Sequence, residues 1–280
     1  MKEELGTDTL LRNLAAGEIA VFGTGYVAES FWYGLERYGL TSRVSCFIVS
    51  DATGKAAFFH DRPVVSLRDF ICRPGTVVCL AVHRALAEEL AGTITAAEPG
   101  RVIWIYPYLH EMIYGKPSAP AVPVGRKELL LEQDPSFHWL SVRYLAARDY
   151  LRHAEAYAQS CEIYLRAMSA HCRPETAEKR LRRLEELADS MAARGFDRAC
   201  PILIDSKQRI IDGLHRLAVA SVLKIDVLFC DIVPASAAYD TLIREQNRLP
   251  EAVLIRAGLT EAQMARLADA KRELISSAVQ

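Results

Sequence analysis

The chain has 280 residues, of which 51% are hydrophobic and 25% are charged, and this balance is typical of a globular protein with room for two domains. A formal net charge of −1 provides no basic surface and therefore argues against a nucleic-acid partner. No apolar run approaches the ~20 residues that span a bilayer, and no signal-peptide core follows the first five residues, so we expect a cytoplasmic protein without membrane contact.

The seven cysteines are scattered along the chain, and their number is odd. None of them forms a Cys-x-x-Cys pair. This spacing indicates neither a disulfide framework nor a zinc site, so we expect reduced thiols.

The first part of the chain alternates between strand and helix patterns. Four apolar runs predict strands, at residues 18–22, 43–49, 76–82 and 101–106. Helical patterns follow the first of these runs and also fill residues 84–97. Because this alternation is typical of a parallel, doubly wound sheet, we predict an α/β protein with a Rossmann-like domain over residues 1–125.

A glycine-rich turn follows the first predicted strand, with the pattern Gly23-x-Gly25-x-x-Ala28 before a helix. Such turns let a phosphate approach the backbone closely. The acid that binds ribose in NAD sites is expected about 20 residues further on, and the candidate, Asp51, comes later than that. Gly23, Gly25 and Asp51 are the candidate binding residues. Three interpretations stay open: a nucleotide or nucleotide-sugar site, an NAD site, or a packing scaffold without a ligand.

The segment from Phe47-Ile-Val-Ser-Asp51 through Gly54-Lys55 to Arg62-Pro-Val-Val-Ser-Leu67 resembles the N-terminal Rossmann-like domains of bacterial surface-glycan enzymes, including PglD-type sugar acyltransferases. The β-helix repeats that carry acyl transfer in those enzymes are absent from this sequence. The resemblance therefore implies a place in polysaccharide biosynthesis, with a nucleotide sugar or sugar phosphate as ligand, but it does not imply acyl transfer.

Prolines 107, 117, 120 and 123 indicate an extended crossover over residues 118–123, and we place a second domain at residues 126–280. A long amphipathic helix is predicted over 140–170. A second helix is predicted over 175–194, with Gly195 as its C-cap.

Two further patterns complete the second domain. In the helix over 175–194, the arginines at 180, 182 and 183 stand among acidic residues and predict a solvated, salt-bridged face. Residues 226–233 predict a strand, and the tail from 236 reads as helical, with a capping box from Thr260 to Gln263.

The segment from Pro201 to Ala220 carries the main functional signal. Two apolar strands joined by a polar turn lead into Asp-Gly-Leu-His-Arg at residues 212–216, where a helix begins. Free backbone N–H groups and the positive end of the helix dipole suit a phosphate there. Arg216 could add a bidentate contact, and His215 could add a further donor.

An ordinary strand-to-helix turn explains the same residues without a ligand. Asp212 would then be a helix N-cap, and His215 and Arg216 would lie on the solvated face of the helix. Under the phosphate interpretation Asp212 is an anion beside an anion site, so its role would be to hold a magnesium ion or a substrate hydroxyl.

The motif Asp212-Gly213-x-His215-Arg216, within residues 175–233, resembles the nucleotide-binding fold shared by ParB N-terminal domains, sulfiredoxins and ADP-dependent free-serine kinases. The resemblance implies an α+β second domain that binds a nucleotide polyphosphate at Gly213, Leu214, His215 and Arg216. Leu214 stands where sulfiredoxins have their reactive cysteine, which removes the sulfur chemistry. The form of the motif favours the kinase branch.

The kinase branch implies ATP or ADP with Mg²⁺ as cofactor and a glutamate on the preceding helix as general base. Glu175 and Glu178 are the candidates for that base, and Asp212, His215 and Arg216 complete the catalytic set. We therefore predict a phosphotransferase that acts on a hydroxyl of a free amino acid or sugar.

Two alternatives stay open, a non-catalytic nucleotide sensor or scaffold and an NAD-dependent oxidoreductase. The expected partner is a small-molecule substrate, and a homo-oligomer is compatible with the sequence.

Overall fold

The computed structural model describes residues 6–82, 84–95, 101–133, 138–170, 172–235 and 249–279. The chain divides into two compact units, Met1–Lys116 and Pro117–Gln280. Each unit contains helices and parallel strand pairs, which confirms the mixed α/β class.

The first unit has a six-stranded sheet in the order β3-β4-β2-β1-β5-β6. Its strands are β1 (Ile19–Phe22), β2 (Val44–Val49), β3 (Phe58–Phe59), β4 (Arg62–Ser66), β5 (Val77–Leu80) and β6 (Arg101–Trp104). All neighbouring strands are parallel except the β3–β4 hairpin. Its helices are α1 (Thr7–Ala16), α2 (Tyr26–Arg37), α3 (Arg84–Thr95) and α4 (Leu109–Tyr114). The four strands predicted from apolar runs are confirmed.

The central strand β1 is buried along its whole length. This is expected for a central strand of a parallel sheet, because the crossover helices cover both faces of the sheet. On one face, Leu90 and Ile94 of α3 share a core cluster with Phe22 of β1. Since β1 lies between β2 and β5, the strand order reverses beside it. The carboxyl ends of β1 and β5 meet at that reversal, which is where open α/β sheets usually bind ligands.

The second unit has a four-stranded sheet in the order β7-β10-β8-β9. Its strands are β7 (Ala119–Gly125), β8 (Ile202–Asp205), β9 (Ile210–Asp212) and β10 (Val227–Val233). Strand β10 pairs antiparallel with β7 and parallel with β8, and β8 pairs antiparallel with β9. Residues 118–123, predicted as an extended crossover, therefore lie largely within a strand. Because β7 joins this sheet, the second unit begins at Pro117, earlier than the boundary predicted after residue 125.

The described helices of the second unit are α5 (Arg126–Leu131), α6 (Trp139–Leu151), α7 (Tyr157–Ser169), α8 (Pro174–Arg194), α9 (Leu214–Val222), α10 (Glu251–Arg256) and α11 (Glu261–Val279). The prediction of one helix over 140–170 is wrong, because the helix is interrupted between α6 and α7. His153 takes a left-handed φ of 48° there, and the Ala154 amide donates to the Asp149 carbonyl at 2.9 Å. A non-glycine residue in that conformation ends a right-handed helix.

Helix α6 is buried on nearly all sides, so the prediction of an amphipathic helix is also wrong for this segment. Helices α7, α8, α9 and α11 all pack against it. A helix surrounded in this way needs no polar face, and the polar residues it does carry must find partners inside the protein.

Asp149 of α6 shows how this unit compensates a buried charge. Its carboxylate accepts a hydrogen bond from Arg148 Nε at 2.9 Å, and Ser160 and Arg266 also donate to it. Arg148 in turn pairs with Glu273 of α11 at 2.6 Å. This ion network ties α6, α7 and α11 together, since each buried charge meets an opposite one.

Two predicted helix ends are confirmed. Helix α8 ends at Gly195, which has a φ of 76°. At α11 the Thr260 amide donates to Gln263 Oε1 at 3.0 Å and the Gln263 amide donates to Thr260 Oγ1 at 3.3 Å, as a capping box requires. The predicted helical tail includes residues 236–248, which lie outside the described residues. None of the helices described is both long and apolar enough to cross a membrane.

Candidate anion site in the second unit

The predicted order of strand, turn, strand and helix over residues 201–220 is confirmed as β8, β9 and α9. The buried Asp205 carboxylate closes the turn between the strands. It accepts hydrogen bonds from the amides of Lys207 at 2.9 Å and Arg209 at 3.0 Å, and from Arg209 Nε at 2.8 Å. Asp205 therefore stabilises the hairpin.

Gly213 joins β9 to α9 and sets the direction of the helix. Its φ is 113°, a conformation that L side chains rarely adopt. A Cβ atom at this position would lie 3.0 Å from both Cγ1 and Cγ2 of Ile202, a fully buried residue of β8. The glycine thus allows close packing of the helix start against the sheet.

The Arg216 guanidinium is held by the chain that precedes β8. Nη1 donates to the carbonyls of Cys200, at 2.8 Å, and Pro201, and Nη2 donates to Asp212 Oδ2 at 2.7 Å. The sequence predicts that this side chain binds a phosphate, but here it donates hydrogen bonds to three oxygen atoms of the protein. Asp212, which is exposed, serves as the partner of Arg216.

The His215 imidazole lies among different residues from those that hold Arg216. Its Nε2 is 2.9 Å from the Tyr164 hydroxyl of α7, and Arg143 Nε of α6 donates to the same Nε2 at 3.3 Å. Because an arginine can only donate, Nε2 must be an acceptor. The neutral ring therefore carries its proton on Nδ1, and the tyrosine hydroxyl donates to Nε2 as well.

Arg143 is a cation in the interior of the second unit, with only 9% of its surface exposed. Its Nη1 donates to the Trp139 carbonyl at 3.0 Å, and its guanidinium lies 4.8 Å from the centre of the Trp139 ring. Within the described ranges no carboxylate forms an ion pair with it. This is unusual, since a buried charge is normally paired.

Arg180 of α8 is a second cation near His215 and Arg143. Its charge lowers the pKa of both groups, and in the part of the chain that the structure describes it has no hydrogen bond or ion pair. The predicted salt bridges of this helix face are therefore not found there. Two of the acidic residues bond tyrosines instead, Glu185 to Tyr157 and Asp189 to Tyr150.

We name Arg143, Tyr164, Arg180 and His215 the arginine–histidine cluster. Burial lowers the pKa of Arg143 to about 10, and the Arg180 charge adds to that effect. Burial, followed by the charges of Arg143, Arg180 and Arg216, holds the pKa of His215 well below its ordinary value. At neutral pH the ring is thus neutral, and the cluster has an excess of positive charge.

Two donors of the cluster have no hydrogen-bond partner among the described residues, His215 Nδ1 and Arg143 Nη2. Both atoms are accessible to solvent, although most of each side chain is buried. Unpartnered N–H groups of this kind, beside uncompensated positive charge, are what an anion binds to.

The remaining predicted residues lie outside this cluster. Glu175 and Glu178 are both exposed on α8. Glu178 precedes Arg180 by two residues, which places it about 200° around the helix axis. Leu214 is half-buried against the core. In the described part of the chain, no group of three or more His, Cys, Asp or Glu residues could hold a metal ion, so Asp212 belongs to no such group.

In the first unit the candidate residues follow the carboxyl ends of β1 and β2. Gly23 has a φ of 116°, and a Cβ there would lie 2.8 Å from the Ala81 carbonyl oxygen, whereas Gly25 faces open space. Asp51 is exposed and accepts a hydrogen bond from the Thr53 amide at 2.9 Å, which lowers the pKa of its carboxyl. Close packing against Ala81, which follows β5, explains why residue 23 is a glycine. A local turn explains the orientation of the Asp51 side chain.

Arg143, Tyr164 and Arg180 are the members of the cluster that sequence reasoning missed. Arg143 could have been found from the sequence, because it stands within an apolar run of α6 and such a position predicts burial. Arg180 and Tyr164 carry no comparable signal, since helical arginines and tyrosines are usually at the surface or partly buried.

The pH dependence of stability offers a test of the neutral His215. An unfolded histidine takes up a proton near pH 6.5, whereas folded His215 does so only at a much lower pH. Below pH 6.5 the unfolded state therefore binds more protons, and the contribution of His215 to the free energy of unfolding should fall with a slope that approaches about 1.4 kcal/mol per pH unit. Urea unfolding at pH 7.5, 6.5 and 5.5 measures this slope.

His215→Gln is the comparison for that experiment, because it removes the titration and keeps the other histidines. We expect a shallower pH dependence in this variant than in the unmodified chain. Equal slopes for the two proteins would show that His215 titrates normally in the folded state.

Comparison of the chain with protein-family models, with curated proteins and with solved structures found no match. The interpretation of the site therefore depends on the geometry of the arginine–histidine cluster, which combines excess positive charge with two N–H donors that have no partner among the residues described.

Proposed function

We propose that the second unit binds a phosphate-bearing small molecule at the arginine–histidine cluster and acts as a small-molecule phosphotransferase with a nucleotide polyphosphate as donor. The observation that carries this proposal is Arg143, a buried cation without a carboxylate partner among the described residues. The resemblance of residues 212–216 to nucleotide-binding motifs points to the same class of ligand.

Energetics explain why Arg143 indicates a ligand. A buried ion that has no counter-ion costs several kcal/mol of folding free energy, and removing one partner of a buried ion pair costs about 3–5 kcal/mol. Asp149 on the same helix pairs with Arg148 and with Arg266 of α11, so the fold is able to pair its buried charges. Within the described ranges Arg143 thus lacks a counter-ion, while its own Nη2 and the nearby His215 Nδ1 are accessible to solvent. An anionic group of a ligand is the best explanation for this arrangement.

The residues of the cluster would have distinct roles in phosphoryl transfer. Arg143 and Arg180 would bind the phosphate and neutralise charge that builds up on the transferred group. The Nδ1–H of His215 would donate a further hydrogen bond, and Tyr164 would hold the ring. Asp212 acts electrostatically on Arg143 and would hold a magnesium ion that arrives with the nucleotide, since magnesium commonly takes one or two carboxylates plus phosphates.

A nucleotide-binding protein without catalysis is the second candidate. The exposed positions of Glu175 and Glu178 favour it, because neither glutamate lies on the side of α8 that bears Arg180. A phosphotransferase would then need another group, or a movement of α8, to activate the substrate hydroxyl.

The first unit is proposed to act as a scaffold. The close approach of Ala81 to Gly23 supports this interpretation, because it explains the glycine by packing. A nucleotide-sugar or NAD site at Gly25 and Asp51, and a place in glycan biosynthesis, remain proposals based on the sequence resemblance alone.

Calorimetric titration with ATP and ADP, with and without Mg²⁺, tests binding. We expect Arg180→Gln to weaken the affinity by tenfold or more, which corresponds to about 1.4 kcal/mol. Arg182→Gln is the matched control, since it removes an equal charge from an exposed position about 200° around the same helix.

Three outcomes decide between the candidates. Equal losses in the two variants would place the ligand elsewhere, and no binding to the intact protein would remove both candidates. If ATP or ADP binds, phosphate-transfer assays on free serine and simple sugars then separate the phosphotransferase from the non-catalytic protein.

A further inference from the structure

We propose that the arginine–histidine cluster selects a phosphate group in its doubly charged, terminal form, and discriminates against carboxylates and phosphodiesters. This inference rests on the proposed function, because it assigns the charge and shape of the group that occupies the same site. It follows from the charges around His215 and from the different helices that carry the donors.

The charges of the site sum to an excess of two. Arg143 and Arg180 have no ion pair within the described ranges, whereas the charge of Arg216 is compensated by Asp212 at 2.7 Å. His215 adds no charge, because burial and the neighbouring arginines hold its pKa well below the ordinary value. A singly charged ligand would leave one of the two arginines uncompensated, and a dianion would compensate both.

The donors come from three different helices. Arg143 belongs to α6, Arg180 to α8 and His215 to α9, and the Tyr164 hydroxyl of α7 fixes the imidazole between them. The Trp139 ring covers one face of the Arg143 guanidinium, and Nε and Nη1 donate to protein atoms. As far as the described residues show, only Nη2 of this guanidinium is therefore left to bind a ligand. Donors carried by several helices suit a tetrahedral group with three free oxygens better than a planar carboxylate with two.

Four small anions test the selectivity at pH 7.5 by calorimetric titration of the full chain: methyl phosphate, sulfate, dimethyl phosphate and acetate. Methyl phosphate and sulfate are tetrahedral dianions, dimethyl phosphate is a tetrahedral monoanion, and acetate is a planar monoanion. We expect the two dianions to bind at least tenfold more tightly than the two monoanions. Affinities within threefold of one another would overturn the selectivity.

Lowering the pH separates the charge of the ligand from the titration of the protein. The second pKa of a phosphate monoester is about 6, so its dianion fraction falls about fourfold between pH 7.5 and pH 5.5. Sulfate keeps both charges over this range, and protonation of the cluster affects the two ligands alike. The affinity of methyl phosphate relative to sulfate should therefore fall about fourfold, and an unchanged ratio would contradict the inference.

The outcomes also distinguish this inference from the proposed function. If ATP or ADP binds and acetate or dimethyl phosphate competes as well as methyl phosphate, the selectivity is refuted and the nucleotide site stands. If none of the four anions and neither nucleotide binds, both are refuted. Arg182→Gln should retain the discrimination between methyl phosphate and acetate, while Arg143→Met should reduce it at least fivefold.

Discussion

Replacing Arg143 with methionine should abolish most ligand binding and at the same time stabilise the ligand-free protein. Methionine keeps the length of the side chain and removes a buried charge that no described carboxylate compensates. The loss of charge-assisted hydrogen bonds should weaken ATP or ADP binding by about 1.5–3 kcal/mol, or roughly 10- to 150-fold. The free energy of unfolding without ligand should rise by about 1 kcal/mol. Calorimetric titration and urea unfolding measure the two effects.

Arg148→Met provides the control on the same helix. The Arg148 guanidinium pairs with Asp149 at 2.9 Å and with Glu273 at 2.6 Å, so its removal leaves the Asp149 carboxylate partly uncompensated. We expect a loss of about 3–5 kcal/mol in the free energy of unfolding. Opposite signs for the two substitutions would show that Arg143 is retained for a ligand. A loss of 2 kcal/mol or more in Arg143→Met would instead assign it a structural role.

Gly213→Ala should be among the most destabilising single substitutions at the start of α9. The backbone strain of a side chain at a φ of 113° costs about 1–3 kcal/mol, and the contact of 3.0 Å with Ile202 adds about 1–3 kcal/mol of overpacking. Ile202 is fully buried in β8 and is therefore poorly placed to give way. We expect a total loss of about 4 kcal/mol in the free energy of unfolding, measured by urea denaturation.

Gly195→Ala separates the two contributions. Gly195 has a φ of 76° and a ψ of −166° at the end of α8, but a Cβ there would meet no atom within 4 Å, so only backbone strain of about 1–3 kcal/mol applies. In an Ile202→Ala background, Gly213→Ala should also cost at least about 1 kcal/mol less than in the unmodified chain. An undiminished cost of Gly213→Ala in the Ile202→Ala background would exclude the contact with Ile202 as a source of instability.

Much of the second unit could be predicted from local patterns. The apolar strands β8, β9 and β10, the glycine that ends α8 and the capping box of α11 were all predicted, because each depends on residues close together in the chain. The break between α6 and α7 was not predicted. It depends on His153 in a left-handed conformation, for which histidine is not a strong local signal.

The candidate site was predicted only in part, for a related reason. His215 and Gly213 belong to a contiguous motif, but Arg143 and Tyr164 come from helices far earlier in the chain and meet His215 only when α6 and α7 pack around α9. The role of Arg216 also depended on packing, since its partners at Cys200 and Pro201 precede β8.

The sequence by itself determined the order of strands and helices and the position of the glycine that begins α9, because hydrophobic periodicity and the preferences of glycine act over a few residues. Only the tertiary structure decided which charged side chains are compensated. Coulombic pairing depends on distance in space and on burial, so two arginines that look alike in the sequence, Arg143 and Arg148, have opposite surroundings.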